Sequence, residues 1–194
     1  MPAAAPATAR EPLILAFGDS LTAGFGLRAR DSFPAQLQAK LQQEGVRARV
    51  ENGGNSGDTT ADGLARTDWE LAEKPDAVIL ELGANDMLRG IPPEIVRRNL
   101  EKIVEKVKAS GAKILLAGMR SAPNWGEAYQ RQFDAIYPDL AQRYHLMLYP
   151  FFLDGVALKP DLTQADGRHP NERGVAVIVA RIAPYVASLL GEKE

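Results

Sequence analysis

The chain has 194 residues and a formal net charge of −2 at pH 7, and 45% of its residues are hydrophobic while 25% are charged. This length suits one domain with a full core, and the charge balance provides no basic surface for nucleic acid. Because the chain contains no cysteine, disulfides, thiolate catalysis and cysteine-ligated metal sites are excluded.

The first ten residues, Met1–Arg10, are rich in alanine and proline and have neither a basic start nor an apolar core. They therefore do not form an intact signal peptide, and we expect a flexible segment ahead of a single domain at 11–194. The segment fits the start of a mature exported protein or a cytosolic tail; the prediction is a periplasmic or secreted location. The longest purely apolar run, Val175–Ala180, is too short to span a bilayer, so no integral membrane segment is predicted.

Short runs with a strand pattern alternate with longer amphipathic stretches along the chain. The short runs are apolar or alternating and end near turn residues; they are Leu13–Phe17, Val46–Glu51, Ala77–Leu82, Lys113–Ala117 and Leu146–Tyr149. The longer stretches have apolar residues at helical spacing; they are Phe33–Glu44, Thr59–Glu73, Pro93–Ser110, Glu127–Tyr144 and Glu172–Leu189. Ser32 is expected to cap the first of these helices, and Thr22–Asp31 to form a loop.

This alternation predicts an α/β fold, a three-layer α/β/α sandwich around a parallel sheet. Right-handed crossovers leave few topologies, and we expect the flavodoxin-like strand order 2-1-3-4-5. In that order the carboxyl ends of strands two, one and three are neighbours. Residues that follow these ends, namely Ser20, Gly57 and Asn85, are therefore expected at one edge of the sheet.

Ser20 comes directly after the first strand, separated from it by Gly18 and Asp19. Open α/β sheets bind ligands at the carboxyl edge, so a serine at this position is a candidate nucleophile. The alternative is that Asp19 or Ser20 only caps the following helix, and this segment alone slightly favours capping.

A serine attacks an acyl carbon only if a base takes its proton, and histidine is the usual base near neutral pH. Of the two histidines, His145 lies at a helix-to-strand junction, where a structural role is expected. His169 lies in the polar loop after the fifth strand, within reach of the same sheet edge. Asp166, three residues earlier, could bond the imidazole Nδ1 and fix its tautomer. The alternative is that these residues form only a turn and a helix entry.

The negative charge that develops on a carbonyl oxygen needs fixed donors, each typically worth roughly 3 kcal/mol. The backbone N–H groups of Ser20 and Gly57 and the side-chain amide of Asn85 could provide three donors. Taken separately, Asn85 could be a loop cap and Gly57 a turn residue. Two distant histidines do not form the compact cluster that a zinc hydrolase needs, so no metal site is predicted.

Taken together, four blocks of this chain resemble the SGNH hydrolases, also called the GDSL family. The blocks are Gly18-Asp19-Ser20-Leu21, Ser56-Gly57-Asp58-Thr59, Gly83-Ala84-Asn85-Asp86 and Asp166-x-x-His169. The resemblance implies that Ser20 is the nucleophile and that Asp166 and His169 complete a catalytic triad. It also implies that Gly57 and Asn85 donate to the oxyanion, and that no cofactor is needed.

The substrate pocket is predicted from the loop after the fourth strand, which covers the substrate in similar proteins and here contains Trp125, with Tyr129 close behind. Trp125 could line an apolar groove or only seal the core. Met87, Leu158, Phe25 and Leu27 are further candidates for the pocket, although each of them taken alone fits a structural role better. Two positions depart from the usual family pattern: Asn55 replaces an aliphatic residue and Arg168 replaces isoleucine or leucine. Asn55 makes the floor of the expected site more polar, so substrate preference follows less directly from the resemblance than the chemistry does.

The function predicted from these residues is that of a serine esterase/thioesterase that acts through an acyl-enzyme. The resemblance implies that its substrates are small-molecule acyl esters: aryl or short-to-medium acyl esters, acyl-thioesters and lysophospholipids. One alternative is a carbohydrate or other small-acyl deacetylase on the same fold. Another is a non-catalytic flavodoxin-like module that binds a phosphate or nucleotide at the same edge.

Overall fold

The centre of the structure, a computed structural model that describes residues 10–191, is a sheet of five parallel strands. The strands are β1 (Leu13–Gly18), β2 (Arg49–Gly54), β3 (Ala77–Glu81), β4 (Lys113–Ala117) and β5 (Met147–Tyr149). Their order is β2-β1-β3-β4-β5, and every neighbouring pair is parallel. The predicted α/β class and the order 2-1-3-4-5 are confirmed. The expected flexible segment Met1–Arg10 lies outside the described residues, apart from Arg10.

Helices connect and cover the strands. They are α1 (Ser20–Ala23), α2 (Phe33–Gln43), α3 (Thr60–Glu70), α4 (Ala84–Leu88), α5 (Pro93–Ala109), α6 (Glu127–Asp134), α7 (Ile136–Tyr144) and α8 (Glu172–Gly191). Four short 3-10 turns lie at Ala29–Asp31, Leu71–Glu73, Pro123–Trp125 and Pro160–Leu162. Helix α2 packs on α8, and α3 packs on α5, which gives the two helical layers of the sandwich. All six residues of β1 and all five of β3 are buried, as expected for central strands of a covered parallel sheet.

Two predicted elements have different bounds in the structure. The second strand begins at Arg49 rather than Val46, because the Val46 N–H bonds the Leu41 carbonyl and closes the end of α2. The helix predicted over 127–144 is broken at Ala135 into α6 and α7. Pro138 explains the break, because it has no N–H to donate to the carbonyl four residues before it.

Two smaller predictions near the first helices are also wrong. Ser32 precedes α2 but does not cap it through its side chain; its hydroxyl instead donates to the Ala29 carbonyl. The expected loop at Thr22–Asp31 includes the end of α1 and a 3-10 turn. Helix α1 begins at Ser20, two residues after the end of β1, so the loop can start only after Ala23.

Helix α8 is, among residues 10–191, the one helix long and apolar enough to cross a membrane by length and composition. A helix of a protein core has the same composition. Here one face of α8 is buried against α2, β4 and β5. The exposed positions include Arg181, whose guanidinium pairs with Asp154.

Arg66 of α3 joins the carboxyl ends of β1 and β2. Its Nη2 donates to the Gly18 carbonyl at 2.8 Å and its Nη1 to the Gly53 carbonyl at 2.9 Å. Its Nε donates to the Asp58 carboxylate at 2.6 Å, and Glu70 accepts another bond from Nη1. The side chain lies 4.4 Å over the Phe17 ring. Because the side chains of Arg66, Asp58 and Glu70 are only 18%, 7% and 9% exposed, these ion pairs are poorly solvated.

We expect Arg66→Met to lower the free energy of unfolding by about 3 to 5 kcal/mol, because two buried carboxylates lose their cation. Urea denaturation measures this change. Arg97→Met is the matched control: it breaks an exposed pair with Asp139, and about 1 kcal/mol or less should be lost. Equal losses in the two variants would contradict a special role for Arg66.

Candidate active site

The turn after β1 places Ser20 at the carboxyl edge of the sheet. Asp19 is fully buried and its Oδ1 accepts the Leu21 N–H at 2.9 Å, so Asp19 caps α1. The capping alternative therefore applies to Asp19 and leaves the Ser20 hydroxyl available. Gly18 is required because a β-carbon there would lie 2.6 Å from both the Glu81 carbonyl and its carboxylate.

Ser20, His169 and Asp166 form one hydrogen-bonded line. The distance from Ser20 Oγ to His169 Nε2 is 2.9 Å, although the residues are 149 positions apart. His169 Nδ1 lies 2.5 Å from Asp166 Oδ2. The other oxygen, Asp166 Oδ1, accepts the backbone N–H groups of Arg168 and His169 at 2.9 and 3.0 Å. The hydrogen bond from His169, followed by the one from the Arg168 N–H, lowers the pKa of Asp166 to about 2, so the carboxylate is ionised at neutral pH.

Two backbone N–H groups at the carboxyl edge of the sheet, those of Ser20 and Gly57, are available to a ligand. Among the described residues, neither the Ser20 N–H nor the Gly57 N–H has a hydrogen-bond acceptor. Gly57 has φ +91°, a left-handed value that favours glycine, and the space where a β-carbon would stand is open. The geometry thus explains glycine at 57 by backbone conformation rather than by crowding.

The Asn85 amide is already engaged. Its Nδ2 donates to Asp19 Oδ2 and to the Asp58 carbonyl, both at 3.0 Å. An amide nitrogen has only two hydrogens. Donation by Asn85 to a developing oxyanion therefore requires that one of these bonds be shared or exchanged.

Helix α4, which contains Asn85, and Arg89 at its end are hydrogen-bonded to the segment 57–60, which contains Gly57. The Asp86 carboxylate accepts the Thr60 N–H at 2.8 Å and the Thr60 hydroxyl at 2.6 Å. Arg89 Nη2 donates to the Gly57 carbonyl at 2.9 Å. These contacts fix the two expected oxyanion donors relative to each other.

A buried pair of carboxyl groups, those of Asp19 and Glu81, lies next to the turn that contains Ser20. Glu81 Oε2 accepts the Thr22 hydroxyl at 2.7 Å and the Asp19 N–H at 3.4 Å, while Glu81 Oε1 has no hydrogen-bond partner. Burial raises the pKa of Asp19 to about 6. Burial, and then the nearby Asp19 charge, raise the pKa of Glu81 well above its usual value. Burial therefore disfavours ionisation of both groups, and the Asp19 charge disfavours that of Glu81 further.

The expected pocket residues lie in different environments. Trp125 is 43% exposed and its ring covers Gly90. Tyr129 donates its hydroxyl hydrogen to the carbonyl of Ile91, the residue after Gly90.

The other expected pocket residues lie elsewhere. Leu158 is 94% exposed with φ +63° and lines a surface hollow of about 350 Å³ next to the Asp166–His169 loop. Met87 is half-buried against the core. Asn55 donates to Asp58 Oδ1 at 2.5 Å, so its side chain also holds the Gly57 loop.

The remaining titratable side chains suggest no second centre. His145 has φ +54° and closes the end of α7, as its expected structural role requires. Within residues 10–191, no group of three or more His, Asp or Glu side chains is placed to hold a metal ion.

Sequence reasoning missed three residues that build this site: Arg66, Glu81 and Arg89. Each contacts residues far away along the chain, so a local pattern does not reveal it. Glu81 had one usable signal, because it is an acidic residue at the end of an otherwise apolar strand. A buried acid at a strand end is a common mark of a functional site.

A hydroxyl, an imidazole and a carboxylate aligned at the carboxyl edge of a parallel sheet are the arrangement of a serine hydrolase. Residues 16–177 match the family described as the GDSL-like Lipase/Acylhydrolase family. The chain belongs to this family and is a carboxylic ester hydrolase, which confirms the resemblance seen in its four sequence blocks.

Similar proteins agree with this assignment. The chain is 44% identical to an arylesterase of Vibrio mimicus over 81% of this chain and 80% of that protein. It is 43% identical to the thioesterase 1/protease 1/lysophospholipase L1 of Escherichia coli K12, over 91% and 84% of the two chains. The crystal structure of the psychrotrophic esterase EstA from Pseudoalteromonas sp., inhibited by monoethylphosphonate, superposes with a TM-score of 0.88. The two are 32% identical, with 94% of this chain and 100% of that chain covered.

We expect Asp166→Asn to lower kcat for a p-nitrophenyl ester by about 10³- to 10⁴-fold at pH 7, with KM nearly unchanged. The Asn oxygen can keep both backbone N–H bonds, but its NH2 group then faces His169 Nδ1. The proton is thereby forced onto Nε2, which can no longer accept from Ser20. Asp68→Asn, at an exposed position of α3, is the control. A loss below tenfold for Asp166→Asn would contradict the proposed orientation of the imidazole.

Proposed function

We propose that Ser20, His169 and Asp166 are the catalytic triad of a serine esterase/thioesterase. The observation that carries this proposal is the 2.9 Å contact of Ser20 Oγ with His169 Nε2, with Asp166 bonded to the opposite ring nitrogen. Ser20 Oγ attacks the acyl carbon while His169 Nε2 takes its proton. The C–O or C–S bond then breaks, and His169 returns the proton to the leaving alcohol or thiol.

Hydrolysis of the acyl-enzyme uses the same groups. A water molecule gives its proton to His169 Nε2 and attacks the acyl carbon. The bond to Ser20 Oγ breaks, the proton passes back to that oxygen, and the free acid leaves. The carboxylate of Asp166 stabilises the imidazolium that forms in both halves of the reaction.

The N–H groups of Ser20 and Gly57 are the proposed oxyanion donors, with Asn85 Nδ2 as the third. The two backbone groups support this role because neither has an acceptor among the described residues. Asn85 reaches the oxyanion by sharing the hydrogen that it gives to Asp19 or to the Asp58 carbonyl. Each donor is worth roughly 3 kcal/mol in the transition state.

The proposed substrates are aryl or short-to-medium acyl esters, acyl-thioesters and lysophospholipids. The names of the arylesterase and of the thioesterase 1/lysophospholipase L1 support these classes. Exposed apolar side chains, Trp125 and Leu158, support an open apolar contact for the acyl or aryl group. We assign Met87, Tyr129 and Asn55 to the walls and floor of this pocket.

The proposal also includes the domain organisation of the chain and the cellular location of the protein. One continuous hydrophobic core includes residues from β1 to α8, which supports a single domain over 11–194. The proposed periplasmic or secreted location rests only on the composition of residues 1–10.

Ser20→Ala should abolish p-nitrophenyl ester hydrolysis, and it should also abolish covalent labelling by a fluorophosphonate probe, since only an activated serine reacts with this probe. The matched control is Ser110→Ala at the end of α5, near the amino-terminal edge of the sheet. That variant should label and hydrolyse like the wild type. Labelling of folded Ser20→Ala would refute the assignment of the nucleophile, and an unlabelled, inactive wild type would favour a non-catalytic binding module.

A series of p-nitrophenyl esters from acetate to dodecanoate tests the acyl pocket. Because the apolar side chains proposed for the pocket, Trp125 and Leu158, are exposed and do not enclose a cavity, kcat/KM should stay within about tenfold from acetate to at least octanoate. Each tenfold change corresponds to about 1.4 kcal/mol of differential binding. A collapse beyond acetate would instead identify a small-acyl deacetylase.

A further inference from the structure

Gln164 forms hydrogen bonds within the segment 163–170, which contains His169, and also to the segment 24–27, which follows α1. Its backbone N–H donates to the His169 carbonyl at 2.8 Å, and its own carbonyl accepts the Gly167 N–H at 2.9 Å. Its side-chain Nε2 donates to the Phe25 carbonyl at 2.7 Å and to the Pro170 carbonyl at 3.0 Å. The residue thus closes the turn around Asp166 and His169 and also attaches this turn to the loop after α1.

Phe25, which accepts the hydrogen bond from Gln164, lies in the loop that follows Ser20 and α1. Its N–H donates to the Ser20 carbonyl at 3.1 Å. Its ring centroid lies 4.8 Å from that of His169, with 39° between the ring planes. The ring is 52% exposed, so this contact is not explained by burial in the core. Because Gln164 fixes the Phe25 carbonyl and Ser20 fixes its N–H, the backbone that directs this ring is held on both sides.

The loop geometry shows why such an attachment matters. His169 lies between Tyr149, at the end of β5, and Glu172, at the start of α8, in a long segment without regular strands. Asp166 bonds only the Nδ1 edge of the imidazole. Among the described residues, the bond from Gln164 to Phe25 is the only hydrogen bond joining 24–27 to 163–170. Gly26 makes it possible, since a β-carbon there would lie 2.2 Å from Gln164 Oε1.

We propose that Gln164 and Phe25 are positioning residues that hold the His169 imidazole in line with Ser20 Oγ. The inference rests on the proposed roles of Ser20 and His169. Gln164 fixes the backbone of both segments, and Phe25 limits rotation of the imidazole because its tilted ring packs against it. Neither residue takes part in proton transfer; they act by keeping Nε2 within hydrogen-bond distance of the nucleophile.

The first test is Gln164→Met, which keeps the length of the side chain and removes both Nε2 donors. We expect kcat for p-nitrophenyl butyrate to fall about 10- to 100-fold, because small displacements of catalytic groups have effects of this size. KM should change less than twofold, and the rate of fluorophosphonate labelling should fall in parallel with kcat. Gln43→Met, at an exposed position of α2, is the matched control and should match the wild type.

A spectroscopic readout separates positioning from a general loss of structure. In the wild type, the His169 Nδ1 proton bonded to Asp166 should give a resolved low-field proton resonance. In folded Gln164→Met the resonance should broaden or disappear, because the ring samples more orientations. An unchanged resonance together with an unchanged kcat would overturn the proposal. A rise in KM at constant kcat would overturn it as well, by assigning Gln164 to substrate binding.

Phe25→Leu is the second variant, and it keeps the backbone carbonyl that Gln164 binds. Because this side chain is exposed, folding should be unaffected. We expect a 3- to 10-fold loss in kcat, and in the double variant a loss smaller than the product of the two single losses, since both act on the same ring. Fully multiplicative effects would overturn the shared role. If the wild type itself were inactive and unlabelled, the proposed function would fail instead.

Discussion

The carboxyl edge of this parallel sheet depends on four hydrogen bonds that one arginine, Arg66, donates. Strands that end side by side expose carbonyl oxygens with no further strand residue to bond them, and such buried acceptors need donors. Arg66 supplies donors to the last residue of β1, to the next-to-last residue of β2 and to the carboxylate of Asp58, in the loop that leads into α3. A planar guanidinium can make these bonds in different directions at once, whereas a lysine ammonium at one point cannot. The turn that contains Ser20 and the loop that contains Gly57 are therefore fixed to each other before any substrate binds.

The same edge of the sheet contains several buried carboxyl groups. Hydrogen bonds, and not ion pairs alone, satisfy these groups. Asp86 accepts two bonds from Thr60, and Asp19 accepts from Leu21 and Asn85. Burial nevertheless raises the pKa of both groups. The buried acids act as acceptors that orient donors: Asp19 directs the Asn85 amide and Asp86 directs the first turn of α3. The proposed oxyanion site is thus built from peptide and amide donors, and hydrogen bonds to buried carboxylates help to position them.

Local features of this fold could be predicted from the sequence, because short-range physics determines them. Strand–helix alternation gives the α/β class, the hand of crossovers leaves few strand orders, and Asp166 and His169 meet within one turn. The break at Ala135 could also have been found, since Pro138 marks it. The contacts of Arg66 could not, because Gly18 lies 48 residues away and many other arginines occur on helices. The double engagement of Asn85 likewise depends on where Asp19 and Asp58 come together, which no spacing in the chain reveals.

Different contacts position Ser20 and His169. This difference indicates which part of the proposed mechanism is more sensitive to substitutions. Ser20 stands on a turn whose neighbours Gly18 and Asp19 are buried and bonded to strands and helices. His169 stands on an exposed loop, where Asp166 must do two things: one carboxylate oxygen bonds the backbone of the turn and the other bonds the ring. A residue with a single acceptor could do only one of them. The imidazole side of the pair therefore depends on a few polar contacts at the surface, while the hydroxyl side depends on the packed sheet. Changes that leave the fold intact should consequently affect the position of His169 more readily than that of Ser20.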